Sequence, residues 1–242
     1  MRLDLALVQR GLARSRSHAR QLLETSRVRV TGVDNPKASM PVGESTTIFV
    51  DVDPYVSRAA YKLIHALDDS SMRVAGRALD AGASTGGFTQ VLLERGASTV
   101  YAVDVGHDQL HDSIRNDPRV VVHEGLNLRD LCLEDVGGIP VDIIVADVSF
   151  ISLTLILARL AAVLSDQGSA LILVKPQFEV GRKGLDSRGV VINDEVRQQG
   201  IDRVVSCANS WGWQLVWSAP SALTGEKGNQ EFFCLFTLAK QG

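Results

Sequence analysis

Residues 78–96, ALDAGASTGGFTQVLLERG, leave the chain few ways to fold. An apolar run closes at Asp80, glycines permit a tight reversal, and FTQVLLE carries helical periodicity, so the segment reads as strand end, glycine turn and helix. The same alternation continues downstream. Strands are expected over residues 77–80, 99–104, 119–123, 141–147, 169–175, 214–217 and 232–238. Helices are expected at about 87–95, 108–116, 152–164 and 193–210, with a further helical stretch, SRAAYKLIHAL, ahead of the first of these strands. Repeated strand and helix imply an α/β domain built on a mainly parallel sheet covered on both faces, in which ligands bind beyond the carboxyl ends of the strands.

A different pattern precedes this domain. Residues 3–11 and 16–26 read as short helices, the second with Ser15 or Ser17 available as its cap. Residues 27–30 alternate charged and apolar side chains as a half-exposed strand does, 32–36 supply turn residues, and 46–50 read as a second strand. The expected organisation is a small α+β module at residues 1–53 and the α/β domain at 54–242. Charge separates them too. Residues 1–30 hold seven Arg against Asp4 and Glu24, a net of +5 in a chain whose total is -3, leaving -8 for the remainder. That asymmetry points to an N-terminal nucleic-acid module.

Other classes are disfavoured. The N-terminus turns polar too early for a signal peptide, which implies a cytoplasmic protein. The most apolar stretch, IVADVSFISLTLILARLAAVL, is interrupted by Asp147 and Arg159 and reads as strand, turn and core helix rather than a membrane span. Cys132, Cys207 and Cys234 form no CxxC pair and read as buried thiols. His107 and His111 are four apart but lack an HExxH context, so no metal site is expected.

Three nucleotide loops compete for the glycine turn. A phosphate-binding Walker loop needs Lys where Phe88 stands. The dinucleotide fingerprint needs Gly where Ser84 stands, although Asp104 follows Gly82 by 22 residues. A third ligand, S-adenosylmethionine, suits a tight turn followed by an acid at the next strand end, with Asp80, Gly82 and Asp104 in those roles and Asn127 near the adenine. Asn127 reads more readily as an ordinary turn residue.

Polar residues that end buried strands are informative, because burying them unpaired is unfavourable. Asp147 closes VDIIVAD and Lys175 closes SALILVK, on the same rim as Gly82. Glu231 opens EFFCLFTL and joins that rim if its strand is antiparallel, and Lys62 in the preceding helix can lean over it. Taken singly, Lys62 reads as a snorkelling surface lysine, Asp147 as a cap and Glu231 as a turn carboxylate.

The chain resembles a known family at these residues. MRLDLALVQRGLARSRSHARQLLETSRVRVTG is similar to the RNA-binding domain first described in ribosomal protein S-four. VSRAAYKL, LDAGASTGGFTQVLLERGA, VADVSFISL, LVKPQFEVGR and GNQEFF together resemble the TlyA (hemolysin A-like) ribosomal RNA methyltransferases, whose catalytic domain resembles the FtsJ-type 2'-O-methyltransferases. The resemblance implies a Rossmann-like methyltransferase sheet and a Lys-Asp-Lys-Glu tetrad at Lys62, Asp147, Lys175 and Glu231. It implies S-adenosylmethionine bound by Asp80, Gly82, Ser84, Thr85, Gly86, Gly87, Phe88, Asp104 and Asn127. The implied reaction is 2'-O-methylation of a cytidine in 23S ribosomal RNA, with 16S as a further target, presented free or within a ribosomal subunit. Lys175 is expected to act as base or hydroxyl-orienting group, with Lys62 and Asp147 tuning it. RNA capture is assigned to Arg14, Arg16, Arg20, Arg27 and Arg29, with Arg182, Lys183 and Arg188 adding a basic loop. The rival readings are an NAD-dependent oxidoreductase, a non-catalytic ribosome-binding factor and a pore-forming hemolysin, the last at odds with the interrupted apolar run.

Overall fold

The computed structural model describes residues 1–13, 15–51 and 53–238. The chain divides into two compact units, Met1–Pro54 and Tyr55–Gly242.

In the first unit, α1 (Leu3–Gln9) packs on α2 (Arg16–Glu24), and β1 (Val28–Val30) pairs antiparallel with β2 (Ile48–Val50). Ser15 is the cap of α2, accepting from His18 N–H at 3.1 Å. Val28 and Val30 turn into a core with Leu3, Leu7, Ala19 and Leu22 while Arg29 faces outward, as period-two alternation requires. Asp4 is fully buried in the first turn of α1. Arg2, Arg16 and Arg20 approach its carboxylate at 3.0, 3.4 and 3.7 Å. The hydrogen bond from Arg2 is the main reason that carboxyl is held at about 2.

The second unit is a seven-stranded sheet. In chain order its elements are α3 (Ala59–Ser70), β3 (Gly76–Ala81), α4 (Gly87–Glu94), β4 (Ala97–Asp104), α5 (Asp112–Arg115), β5 (Val120–Glu124) and β6 (Val141–Ala146). There follow α6 (Leu157–Val163), β7 (Leu164–Val174), α7 (Pro176–Glu179), α8 (Asp194–Ser210), β8 (Trp213–Pro220) and β9 (Phe232–Leu238). The strand order is β5-β4-β3-β6-β7-β9-β8. Strands β3 to β7 are mutually parallel and β9 is antiparallel to both its neighbours. Both faces are covered, which is why the central strands are apolar without alternation. Ile144, Ile172 and Phe236 enter one core with Leu160 and Val204; Val145, Leu171 and Phe233 enter the other with Leu63 and Leu92.

Three expectations change. The helix expected at 108–116 shrinks to α5, because Asp108 has φ +54° and the Glu124 carboxylate takes the N–H groups of Gln109 and Leu110. The helix expected at 152–164 begins as a 3-10 turn, Leu153–Leu155, before α6. Of the three thiols expected to be buried, Cys234 is, Cys207 is half-buried, and Cys132 is exposed, since it opens a surface 3-10 turn at Leu133–Val136. Among the described residues no helix is long and apolar enough to cross a membrane, and no group of three or more His, Cys, Asp or Glu could hold a metal ion.

Candidate active site

A cavity of about 600 Å³ opens at the carboxyl ends of β3, β6 and β7. Its first wall is the glycine turn. Gly82 and Ala83 both donate to the Val103 carbonyl, at 2.8 and 3.0 Å, so the turn is pinned to β4. Gly82 has φ +90°, and a Cβ there would stand 2.7 Å from the Asp147 carbonyl oxygen. Both conformation and space therefore demand glycine. Asp104 ties the turn down from the other side: its two oxygens accept Ser84 N–H at 2.8 Å and Gly106 N–H at 2.7 Å. Lone pairs remain on both oxygens.

Asp80 lies beneath this turn and has no exposed surface, so it cannot touch a ligand as the sequence suggested. One oxygen accepts the Thr89 hydroxyl at 2.7 Å and thereby fixes the start of α4; the other has no partner among the described residues. Burial pushes its carboxyl up to about 7, opposed by the Thr89 bond and reinforced by the charge of Asp147. Because the folded value lies above the unfolded one, the protein loses stability as pH rises from about 4 to 7, and the loss is complete above that range. Asp80→Asn can still accept from Thr89 but has no proton to lose. Its stability relative to the parent protein should therefore climb across that window, by up to about 4 kcal/mol; urea denaturation at pH 5 and pH 8 measures this.

The four polar residues converge on the same cavity. Because β9 is antiparallel to β7, Glu231 precedes its strand at the rim where Lys175 follows its own. Lys62 reaches in from α3 and is buried, not a surface-snorkelling side chain. Its Nζ donates to Glu231 Oε2 at 2.6 Å. Lys175 forms the second pair, 2.6 Å from Asp147 Oδ1, and also donates to Ser149 Oγ at 2.8 Å. The tetrad is thus two ammonium–carboxylate pairs, and Lys62 engages Glu231 rather than tuning Lys175 directly. Gln177 Nε2 contacts Glu231 Oε1 at 3.4 Å.

The sequence did not single out Phe150. It is 92% exposed at the cavity rim, has φ +64°, and its ring lies 5.4 Å from that of Phe178. A bulky residue in left-handed backbone is strained, and such strain concentrates at functional sites. The signal was hidden because SFISL reads as ordinary apolar chain.

The remaining candidates are scattered. Ser84, Thr85, Gly87 and Phe88 line the cavity, whereas Gly86, Asp104 and Asn127 lie outside its lining. A Cβ at Gly86 would meet Leu110 and Ile114, so that glycine makes room for protein. Asn127 accepts from Arg129 N–H at 3.0 Å, the ordinary turn role. In the N-terminal unit Arg16 and Arg20 stand over Asp4, Arg27 pairs with Asp53 and Arg29 with Asp51; Arg14 lies outside the described residues. Arg182 and Lys183 are exposed on a 3-10 turn, and Arg188 pairs with Asp186. Asn229 clasps that loop, accepting from Val191 N–H and donating to the Gly189 carbonyl, both at 3.0 Å.

Comparison with known proteins fits this geometry. The FtsJ-like methyltransferase family matches residues 55–237, and the S4 domain matches residues 1–47. The 16S/23S rRNA (cytidine-2'-O)-methyltransferase TlyA of Mycobacterium tuberculosis is 47% identical over 236 residues, covering 96% of this chain and 88% of that protein. Hemolysin A of Brachyspira hyodysenteriae is 37% identical, covering 98% of this chain and all of that one. Among solved structures, a Streptococcus thermophilus protein provisionally named a hemolysin superposes with a TM-score of 0.77 at 34% identity, covering 99% of this chain and 89% of that one.

Proposed function

Since the chain belongs to the FtsJ-like methyltransferase family and carries an S4 domain ahead of that fold, we propose that it methylates the ribose 2'-hydroxyl of a cytidine in ribosomal RNA, using S-adenosylmethionine. The observation that carries this reading is the convergence of two lysine–carboxylate pairs and a glycine turn on one cavity. The match to the FtsJ-like methyltransferase family over residues 55–237 favours this reading over a hydride-transfer enzyme, and a passive ribosome-binding factor has no use for the cavity.

The site suits the cofactor. A volume of about 600 Å³ is in the range of small-molecule sites. The space a side chain would occupy at Gly82 and Gly87 is taken by Asp147 and Ser57, so bare backbone forms the wall. Gly82, Ala83, Ser84, Thr85 and Phe88 would flank the cofactor, and Asp104 would offer lone pairs to its ribose hydroxyls. S-adenosylmethionine supplies a methyl group on a sulfonium, an electrophile that needs no further activation. Methyl transfer would form an O–CH3 bond as the S–CH3 bond breaks, the sulfonium leaving as a neutral thioether and the hydroxyl proton passing to a neutral amine or to solvent.

Lys175 is the group assigned to that hydroxyl: as the ammonium it donates a hydrogen bond that aims the oxygen's remaining lone pair, and only as the neutral amine can it accept the hydroxyl proton. Two of the contacts that fix Lys175 Nζ are Asp147 and Ser149. The Lys62–Glu231 pair fixes the opposite wall and offers carboxylate lone pairs to the target ribose. Phe150 presents a ring face on which the target base can stack, a contact that typically contributes about 1–3 kcal/mol. Much of the acceleration is alignment, which can lower the barrier by roughly 7–11 kcal/mol.

Ribosomal RNA incubated with the protein and S-adenosylmethionine should gain a 2'-O-methylcytidine, located by mass-spectrometric mapping of nuclease fragments. Absence of any new ribose methylation, with NAD binding more tightly than S-adenosylmethionine in titration calorimetry, would reverse the assignment. The N-terminal unit is assigned to RNA capture. Arg16 and Arg20 have half-exposed side chains whose remaining donors can meet phosphates. Arg20→Ala should weaken RNA binding regardless of sequence and reduce the slope of log affinity against log salt by about one; filter binding across a salt series reads this.

A further inference from the structure

Phe150 keeps its left-handed backbone in residues 147–152, a segment with no regular structure, so something outside that segment must hold it. The restraint is Glu179. Its carboxylate is 2% exposed, yet it makes no salt bridge within the described residues. One oxygen accepts the Ser152 hydroxyl at 2.5 Å and the other accepts the Leu153 N–H at 2.8 Å. Glu179 is the last residue of α7, which begins directly after Lys175. A single carboxylate therefore ties the loop leaving β6 to the turn leaving β7. The same two segments are joined at the cavity by Lys175 with Asp147 and Ser149. Arg203 of α8 anchors the arrangement by donating to the Glu179 carbonyl at 2.7 Å. Burial raises the Glu179 carboxyl, an effect opposed by its bonds to Ser152 and Leu153 and by the charge of Arg203.

We infer that Glu179 is a positioning residue for methyl transfer: it locks residues 147–153 and so sets Asp147, Ser149 and Phe150 against Lys175. The inference rests on the reaction proposed above. Its chemistry needs two hydrogen bonds and not a charge. Glutamine in its place can accept from Leu153 N–H through its oxygen and donate to the Ser152 hydroxyl through its nitrogen. Alanine can do neither, and leaves the buried Leu153 N–H without a partner.

The test compares the full-length parent protein, Glu179→Gln, Glu179→Ala and Ser152→Ala in steady-state methylation of ribosomal RNA. S-adenosylmethionine binding and amide exchange of the RNA-free proteins are measured alongside. Glu179→Ala should lower kcat about 10²-fold, the scale of a misplacement near 1 Å. It should leave cofactor affinity near the parent value and speed exchange at residues 147–153. Glu179→Gln should recover most of the rate, and Ser152→Ala, which loses one of the two Glu179 bonds together with the cap contacts of Ser152 to Thr154, should fall between. Should Glu179→Ala fail to fold, Ser152→Ala must still lower kcat at an unchanged melting temperature. Equal loss in the glutamine and alanine variants, a rate that only follows the folded fraction, or unchanged exchange in the loop would each overturn the inference. A parent protein that methylates no ribose would sink the functional reading instead, leaving amide exchange to judge the clamp.

Discussion

Lys175→Met is expected to fold and to bind S-adenosylmethionine, yet to methylate ribosomal RNA about 10³-fold more slowly, within the range for a lost proton-transfer group. Methionine keeps the length and apolar character of the lysine stem, so the packing beyond β7 survives. What disappears is the nitrogen that Asp147 and Ser149 hold at 2.6 and 2.8 Å. Asp147 Oδ1 is buried beneath the ammonium, but the pair lines the open cavity and Ser149 is exposed, so water entering the space left by the ammonium limits the loss of stability. Lys175→Arg should be nearly as slow: its planar guanidinium cannot put a compact nitrogen at the same point and does not give up a proton. Calorimetric titration with the cofactor and mass-spectrometric mapping of the RNA separate binding from transfer. Methylation by Lys175→Met at the parent rate would remove this amine from the mechanism.

The second large effect concerns stability. Lys62 and Glu231 meet at 2.6 Å with side chains only 7% and 3% exposed. Removing either alone strands a buried charge, and Lys62→Met or Glu231→Leu should each cost about 3–5 kcal/mol of folding free energy. Replacing both together should recover most of that loss, because an apolar pair of similar volume avoids desolvating two ions. The recovered protein should nevertheless be inactive, since the wall formed by Lys62 and Glu231 then offers the target ribose no carboxylate. Urea denaturation followed by the RNA assay distinguishes the two contributions. A double variant as unstable as the singles would mean the residues do not act as a pair, and an active one would take the pair out of the site.

The sheet was readable because its signals are local. Apolar runs closing at Asp80, Asp104 and Lys175 lie within a residue or two of the ends of β3, β4 and β7, and Phe232–Leu238 matches the expected final strand. The α5 region was not, because the Glu124 carboxylate, from a later strand, takes N–H groups that a helix would have used. Asp147, Lys175 and Glu231 could be named from strand ends and Lys62 from the helix ahead of them, but their pairing could not. That Lys62 faces Glu231 depends on the reversal of β9 and on the placement of α3, neither of which leaves a trace in spacing. Asp80 illustrates the opposite error: an acid at a strand end beside a glycine turn suggests a ligand contact, whereas Thr89 and the closed packing above it make it part of the core. Glu179 and Asn229 escaped notice for a related reason, as each acts by fastening a neighbouring loop through backbone groups that carry no residue identity.

The reversal of β9 also fixes where material can be appended. Glu231 precedes the strand at the cavity, while Leu238 pairs with Trp213 at the far edge of the sheet, roughly 20 Å along the strand. A reporter or an immobilisation handle carried on a side chain at that end of β9 would leave the pocket mouth unobstructed, so single molecules tethered there should turn over like free ones.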